Sequence, residues 1–321
     1  MATVYQTIPQ LSQPHLLTLA DYSAQEILDL LDLAIKMKKP ENKHRPLLQG
    51  KILGMIFEKS STRTRISFEA GMLQLGGHAM YLNTQDTQLG RGETYGDTAR
   101  ILSGYLDGVM IRTFKQEAVV ELATNSTVPV INGLTDDYHP CQVLADFMTI
   151  LEVFGTLKGK KFAYIGDANN MSNSLMIGAA KVGMDLSIAT PAGYAPNQWV
   201  IDAAEGFAKE SGATLTITTD PKEAVNDAHI IYTDVWASMG QEEEAAERLA
   251  HFEGFQVNEA LTALADPNYI FMHCLPAHRE EEVTTAVLEG PHSVVFQEAE
   301  NRLHAQKALL VALMADPSIE I

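Results

Sequence analysis

The stretch Ile52-Leu53-Gly54-Met55-Ile56-Phe57, followed shortly by Ser61-Thr62-Arg63-Thr64-Arg65, decides how the chain is read. A compact apolar run of this length predicts a strand buried on both faces. The polar run opens a segment with Phe68, Met72 and Leu75 at helical spacing, which stops at Gly76-Gly77. Strand, turn and helix start therefore follow one another. Three hydroxyls and two guanidinium groups are expected around the first free N–H groups of that helix, whose positive end attracts anions. Phosphate is the natural guest. The same composition also suits an ordinary cap with solvated arginines.

Upstream, Ser23-Ala24-Gln25-Glu26 reads as a capping box ahead of Ile27, Leu30, Leu31, Ala34 and Ile35 on one helical face. Downstream come a short strand Ala79–Leu82 and a polar loop from Asn83 to Glu93 with Gly90 and Gly92. That loop is long for a connector, which marks it as a functional candidate. A helix about Asp97–Tyr105, a strand Val109–Ile111, a helix about Glu117–Ala123, a strand Val128–Ile131 and a helix about Pro140–Phe154 follow. The turn-like Gly155 to Lys161 then suggests a boundary. The expected domains are 1–150, with a C-terminal helix of about 299–321 packing back on it, and 151–298.

The second half repeats the rhythm. Strands are expected at Phe162–Ile165, Leu186–Ala189, Thr214–Ile217, His229–Tyr232, Tyr269–Met272 and Ser293–Phe296. Helices are expected at about Asn173–Val182, Gln198–Lys209 and Pro221–Val225, with a last one at Ala299–Met314. Strands separated by helices imply an α/β protein: two doubly wound parallel-sheet domains, with the active site in the cleft between them.

Composition narrows the function. A chain of 321 residues with 46% hydrophobic content can bury two ordinary cores. Lys+Arg 23 against Asp+Glu 41 gives a net charge of −18, which argues against nucleic-acid and anionic-membrane partners but not against a small anion in a locally basic site. The runs Glu242-Glu243-Glu244 and Glu280-Glu281-Glu282 read as solvated faces. The two cysteines, Cys141 and Cys274, lie far apart in the chain and fit a reducing compartment rather than a disulfide framework. The N-terminus shows no leader pattern and no apolar run approaches membrane-spanning length, so a cytoplasmic location is expected.

In doubly wound sheets ligands bind beyond the carboxyl ends of strands, and unusual polar residues fall there repeatedly. Ser61 to Arg65 follow one strand, Arg112 ends another, and His139 lies just past a third. In the second half Asp167-Ala168-Asn169-Asn170, Asp234 and His273-Cys274 occupy the same position. Singly, each has an ordinary reading: a satisfied loop histidine, a surface ion pair, an inert buried thiol. Phe162-Ala163-Tyr164-Ile165-Gly166-Asp167 looks like the opening of a dinucleotide-binding unit, but neither G-x-G-x-x-G nor G-x-x-x-x-G-K-[ST] follows. The anion site is therefore expected in the first half. The ten histidines include no H-E-x-x-H, and His273 with Cys274 has no partner at ligand spacing, so no metal and no cofactor are expected.

Four motifs, Ser61-Thr62-Arg63-Thr64-Arg65, His139-Pro140-Cys141-Gln142, Asp234-Val235-Trp236-Ala237-Ser238-Met239-Gly240 and His273-Cys274-Leu275-Pro276, together resemble the ornithine carbamoyltransferases, in that family's order and across essentially the whole chain. The first two are similar to motifs of the wider transcarbamoylase family, and the last two are the more specific to ornithine. The resemblance implies carbamoyl transfer from carbamoyl phosphate to the δ-amine of L-ornithine, giving L-citrulline and phosphate, in arginine metabolism. It implies a carbamoyl phosphate site of Ser61, Thr62, Arg63, Thr64, Arg112, His139, Gln142, Cys274, Leu275 and Arg302, with Gln88 supplied to a neighbouring subunit's site. Asn170, Asp234, Ser238 and Met239 are implied for ornithine, and Arg112, His139, Cys274 and Asp234 for catalysis. A homotrimer, or a multiple of trimers, is implied as well. Glu280 departs from the pattern, since the family usually has glycine after His-Arg. Two alternatives stay open at this point: another amine acceptor such as putrescine, and a silent binding protein on the same fold.

Overall fold

The computed structural model describes residues 8–237 and 245–319. In chain order the named elements are α1 (Ala24–Lys38), β1 (Ile52–Phe57), α2 (Thr62–Gln74), β2 (His78–Asn83), α3 (Tyr95–Ser103), β3 (Gly108–Arg112), α4 (Gln116–Asn125), β4 (Val130–Leu134) and α5 (Pro140–Phe154). They continue with β5 (Lys161–Ile165), α6 (Asn170–Val182), β6 (Asp185–Ala189), α7 (Gln198–Ser211), β7 (Leu215–Thr218), α8 (Pro221–Val225) and β8 (Ile230–Thr233). The last are α9 (Ala245–His251), α10 (Glu259–Thr262), β9 (Ile270–Met272), α11 (Thr285–Leu288) and α12 (Val295–Met314). The chain divides into two compact units, Met1–Met148 with Glu300–Ile321, and Thr149–Ala299. The divisions fall inside α5 and inside α12.

The first unit holds a parallel sheet in the order β2-β1-β3-β4. β1 and β3 are buried almost throughout, as two-faced parallel strands require. The order reverses between β1 and β3, where Phe57 pairs with Arg112 at the carboxyl ends. Helix α1 begins with the expected capping box, and Glu26 also accepts from the Ser12 N–H at 2.5 Å. Partial burial raises the Glu26 pKa, but the Ser23 and Ser12 bonds outweigh it and bring the pKa down to about 2. α2 stops at Gly76, which takes a left-handed φ of +77°.

The second unit holds a five-stranded parallel sheet in the order β7-β6-β5-β8-β9. Its reversal lies between β5 and β8, where Ile165 pairs with Thr233. Beneath it Trp236, Phe252, Phe255, Val257 and Phe271 pack with the strand side chains into one core. The expected doubly wound α/β architecture is therefore present in each unit.

Several boundaries differ from the sequence reading. Ser293–Phe296 is not a strand: Ser293 makes one bridge to Phe271, and α12 already runs from Val295. β-branched residues suggested a strand there, but the chain turns into a helix that continues past them. β4 lies at Val130–Leu134 rather than Val128–Ile131, α3 begins at Tyr95 rather than near Asp97, and α6 begins at Asn170 rather than near Asn173. α10 and α11 are four residues each, too short for periodicity to reveal.

Candidate active site

In the first unit the Ser61 hydroxyl caps α2, accepting from the Thr64 N–H at 3.2 Å. Thr64 is buried and accepts a bond from the Arg302 guanidinium at 3.2 Å. Arg302, on α12 and 3% exposed, also donates to the Gln142 side-chain oxygen at 2.6 Å. Gln142 in turn donates to Asp146 one turn on in α5, at 2.9 Å. With its amide oriented to satisfy its neighbours, Gln306 accepts from Arg302 at 2.9 and 3.2 Å. A long cation is thus held from several sides inside the protein, the setting in which a guanidinium can aim its donors at a planar or tetrahedral oxyanion.

His139, buried at the start of α5, is held neutral: burial first, then the charges of Arg302, Arg112 and Arg63, push its pKa well below the usual histidine value. One imidazole thus senses three guanidinium groups. Arg112 ends β3 and is buried, and its carbonyl accepts from the Glu58 N–H at 2.9 Å. Glu58 receives the Tyr95 and Thr113 hydroxyls, so the segment between β1 and α2 is tied to β3 and α3. Ser61, Arg63, Thr64, Arg112, His139, Gln142 and Arg302 are therefore one constellation at the switch point of the first sheet.

One member of the quoted stretch stands apart. Arg65 turns along α2 to Glu69 at 3.0 Å and lies 3.9 Å from the Tyr81 ring centroid, which leaves Arg63 as the guanidinium of this run that acts on His139. Thr62 is exposed in the first turn of α2. Gln88 is exposed in the polar loop, where its carbonyl accepts from the Arg91 and Glu93 N–H groups at 2.8 and 3.1 Å. Cys141 is buried and donates to the Asn132 carbonyl at 3.4 Å. Burial, only partly offset by Arg302, pushes its thiol up to about 12, so it is inert.

In the second unit Asp234, just past β8, is 7% exposed and its carboxylate is hydrogen-bonded on both oxygens. One accepts from the Val235 N–H at 2.8 Å and from the Cys274 thiol at 3.0 Å, and the other from the Asn169 amide at 2.8 Å. Asn170 begins α6 beside them and is half-buried. Asp167 pairs with the Arg248 guanidinium at 2.7 Å, and burial raises its pKa despite that partner. Ser238 and Met239 lie outside the described residues.

His273 ends β9 fully buried. Its Nδ1 accepts from the Leu275 N–H at 2.9 Å, which places the ring proton on Nε2, facing Glu282 at 3.1 Å. The His273 backbone N–H donates at 2.9 Å to Glu298, a buried carboxylate that also receives the Tyr232 hydroxyl at 3.2 Å. Leu275 takes a left-handed φ of +58°, so a single turn presents Cys274 and the Leu275 backbone. Glu298 was not singled out from sequence, and Asn169 only as part of the polar run Asp167 to Asn170 after a strand. Each has a retrospective signal, a carboxylate in a helix's first turn and an Asn at an N-cap.

Among the described residues, two groups of side chains come within metal-ligand distance of one another. Asp234, His273 and Cys274 bring one ligand atom each within 4.8 Å of one another, as do His278, Glu281 and Glu282. Sequence spacing hid the first set because parallel strands β8 and β9 place Asp234 beside residues forty positions on. Both His273 ring nitrogens already have protein partners, so the set reads as a hydrogen-bonded cluster first.

Glu280 explains its own departure from glycine. It adopts φ +67°, the region where glycine is at ease, and its carboxylate accepts from the Thr285 N–H at 2.9 Å at the start of α11. Hydrogen bonds from the Thr285 side chain and then from its N–H hold the Glu280 pKa below the ordinary glutamate value.

Two doubly wound α/β units, one with buried arginines around a neutral histidine at a capped helix and one with a hydrogen-bonded carboxylate, define a protein for handling an oxyanion and an amine. Residues 14–152 match the family model described as "Aspartate/ornithine carbamoyltransferase, carbamoyl-P binding domain", and residues 158–313 the one described as "Aspartate/ornithine carbamoyltransferase, Asp/Orn binding domain". The protein named ornithine carbamoyltransferase of Anoxybacillus flavithermus is 60% identical over 95% of this chain and 98% of its own, and that of Bacillus subtilis 59% identical over 98% and 97%. The solved structure of the ornithine carbamoyltransferase from Pyrococcus furiosus superposes with a TM-score of 0.90 at 55% identity, covering 97% of this chain and 99% of that one. The chain belongs to the aspartate/ornithine carbamoyltransferase family.

Proposed function

We propose that the protein transfers the carbamoyl group of carbamoyl phosphate to the δ-amine of L-ornithine, giving L-citrulline and phosphate. The observation that carries this reading is the buried Arg302 fork beside Thr64 and Gln142, with Arg112 and Arg63 around a neutral His139. A dianionic phosphate finds there Arg63, Arg302, the Ser61, Thr62 and Thr64 hydroxyls and the N-terminus of α2. The carbamoyl group faces His139, Arg112 and Gln142. The first unit is the carbamoyl phosphate domain and the second the ornithine domain.

The chemistry is acyl transfer without a covalent enzyme intermediate. The neutral δ-amine attacks the carbamoyl carbon, the C–N bond forms, and the carbonyl oxygen takes negative charge. Arg112 and His139 stabilise that oxygen, His139 as a neutral hydrogen-bond donor. Collapse breaks the C–O bond to phosphate, and the amine's surplus proton leaves through the hydrogen-bonded Cys274–Asp234 pair or to the departing phosphate. Deprotonating an amine of lysine-like pKa at pH 7 costs roughly 4–5 kcal/mol. Asp234 holds the α-amine, while Asn170 with the Ser238-Met239 backbone receives the α-carboxylate.

A trimer belongs to the same reading. Ile66, Leu73 and Met80 on α2 and β2 are 57%, 65% and 49% exposed, an apolar face close in sequence to the Gln88 loop. A trimer in which Gln88 reaches a neighbour's carbamoyl phosphate would bury such a face. Among the described residues no helix is long and apolar enough to cross a membrane. The net charge of −18 speaks against nucleic-acid partners, and a cytoplasmic location fits two cysteines that are not joined in a disulfide. The test is citrulline formation measured colorimetrically with carbamoyl phosphate and an amine panel. Ornithine is expected to exceed putrescine in kcat/KM by at least ~10³, because a missing carboxylate leaves polar groups unpaired. Comparable rates would sink the ornithine assignment.

A further inference from the structure

We propose that Asn169 is a positioning residue whose side-chain amide fixes the direction in which Asp234 presents its carboxylate to the substrate amine. This rests on the reading of Asp234 given above.

Asn169 sits at the N-cap of α6, and its side-chain oxygen is fully committed there. It accepts from the Met171 and Ser172 N–H groups at 2.9 and 3.3 Å and from the Tyr164 hydroxyl at 3.3 Å. The residue's backbone is pinned as well: its carbonyl accepts from the Ser172 hydroxyl at 2.8 Å and the Asn173 N–H at 3.0 Å. Turning the amide over would set its NH₂ against two backbone donors, so the orientation is forced. The remaining polar atom, Nδ2, must donate, and it lies 2.8 Å from Asp234 Oδ2. Val235 and Cys274 hold the other oxygen. With both oxygens engaged the carboxylate plane cannot rotate, and few acceptor directions are left for a ligand.

The residue type matters. Ser, Thr, Asp or Asn would each cap the helix. Of these, only Asn both caps the helix and donates across the sheet's switch point to a carboxylate. The bond joins the end of β5 to the end of β8, the two strands whose separation sets where Asp234 stands. An N-cap role alone would not require the amide.

Asn169→Asp and Asn169→Ser in the full-length protein separate the roles. The Asp variant keeps the cap but sets a second acid against Asp234. The other titratable groups near that carboxylate are the Cys274 thiol, the His273 imidazole, the Tyr164 hydroxyl and Asp167, which is paired with Arg248. The two acids would share a proton at neutral pH. For Asn169→Asp the expected result is a Tm within a few degrees of the parent, a KM for ornithine raised about 10- to 100-fold, an unchanged carbamoyl phosphate Kd, and an acid limb of kcat/KM moved to higher pH. Asn169→Ser, capped but too short to reach Asp234, should raise the ornithine KM without moving the pH profile. A lowered Tm with parental KM and pH profile in both variants would reduce Asn169 to a cap and overturn the proposal. Asp234→Asn is the control: if it leaves the ornithine KM unchanged, the reading of Asp234 falls and this proposal with it. If Asp234→Asn impairs ornithine use while Asn169→Asp does not, this proposal falls alone.

Discussion

The two switch points solve opposite electrostatic problems with the same fold. At the first, buried cations wait for an anion: Arg302 and Arg112 are 3% and 6% exposed and the one imidazole among them is kept neutral. At the second, a buried anion waits for a cation: Asp234 is 7% exposed and is held by a neutral amide, a thiol and a backbone N–H. Neutral donors hold the carboxylate without cancelling its charge, so it remains attractive to an ammonium. The Arg302 guanidinium likewise leans on Thr64, Gln142 and Gln306, whose oxygens orient it without neutralising it. Each half-site is preorganised by partners that leave its charge available.

Removing the charge that organises the first half should do the most damage. Arg302→Met is expected to weaken carbamoyl phosphate binding by roughly 10²- to 10³-fold, the loss for truncating a buried hydrogen-bonded charge. Isothermal titration would show it, and parental affinity would remove Arg302 from the site. Citrulline formation should fall in step.

Next is the question of whether the first half is complete within one chain. Arg63→Ala and Gln88→Ala should each be inactive alone, yet mixed and allowed to exchange subunits they should recover up to roughly a quarter of parental activity, since one interface in four would join two intact contributions. No recovery in well-exchanged mixtures would argue that Gln88 acts within its own chain or not at all.

On the other side of the comparison, Asp234→Asn should raise the ornithine KM by about 10- to 100-fold while the carbamoyl phosphate Kd stays put. If both ligands suffered equally, the two half-sites would not be separable as described.

Acid should also tell the halves apart. His15, His139 and His304 in the first unit, against His229 in the second, are held below the ordinary pKa of 6.5, chiefly by burial, with His304 at about 4. Below pH 6.5 the unfolded chain binds protons that these folded histidines refuse, so stability falls as pH falls. For His304 the loss runs from 6.5 down to about 4. Asp167 has the opposite sign, since its raised pKa lets the folded second unit take up a proton first. Urea unfolding between pH 7.5 and 5 should show a first-unit loss approaching ~1.4 kcal/mol per pH unit for each well-buried histidine, reduced in His139→Gln. A flat profile would contradict the buried neutral imidazoles.

The smallest effect belongs to Glu280. Replacing it by glycine removes a left-handed side chain and a cap on α11 together, so Tm should move by no more than about 1–2 °C. Glu280→Ala keeps the unfavourable φ and loses the cap, and should melt below the glycine variant. The reverse order would show that the left-handed φ costs nothing at this position.

Local periodicity and capping settled much of this protein in advance. β1, α5 and α8 lie where their apolar spacing and their proline or cap residues put them, because a two-faced strand and a one-faced helix need different patterns of burial. The start of α2 at Ser61 was also legible, since a hydroxyl after a strand caps the helix that follows. Arg302, Gln88 and the residues expected for ornithine entered the reading only through resemblance, because nothing in their neighbours' spacing marks them. Tertiary structure alone decided that Arg65 turns to Glu69 and Tyr81, that Cys141 is sealed while Cys274 meets Asp234, and that Asn169 serves two elements at once. Those outcomes depend on which strands lie side by side, and strand order brings together residues whose separation in sequence carries no signal of contact.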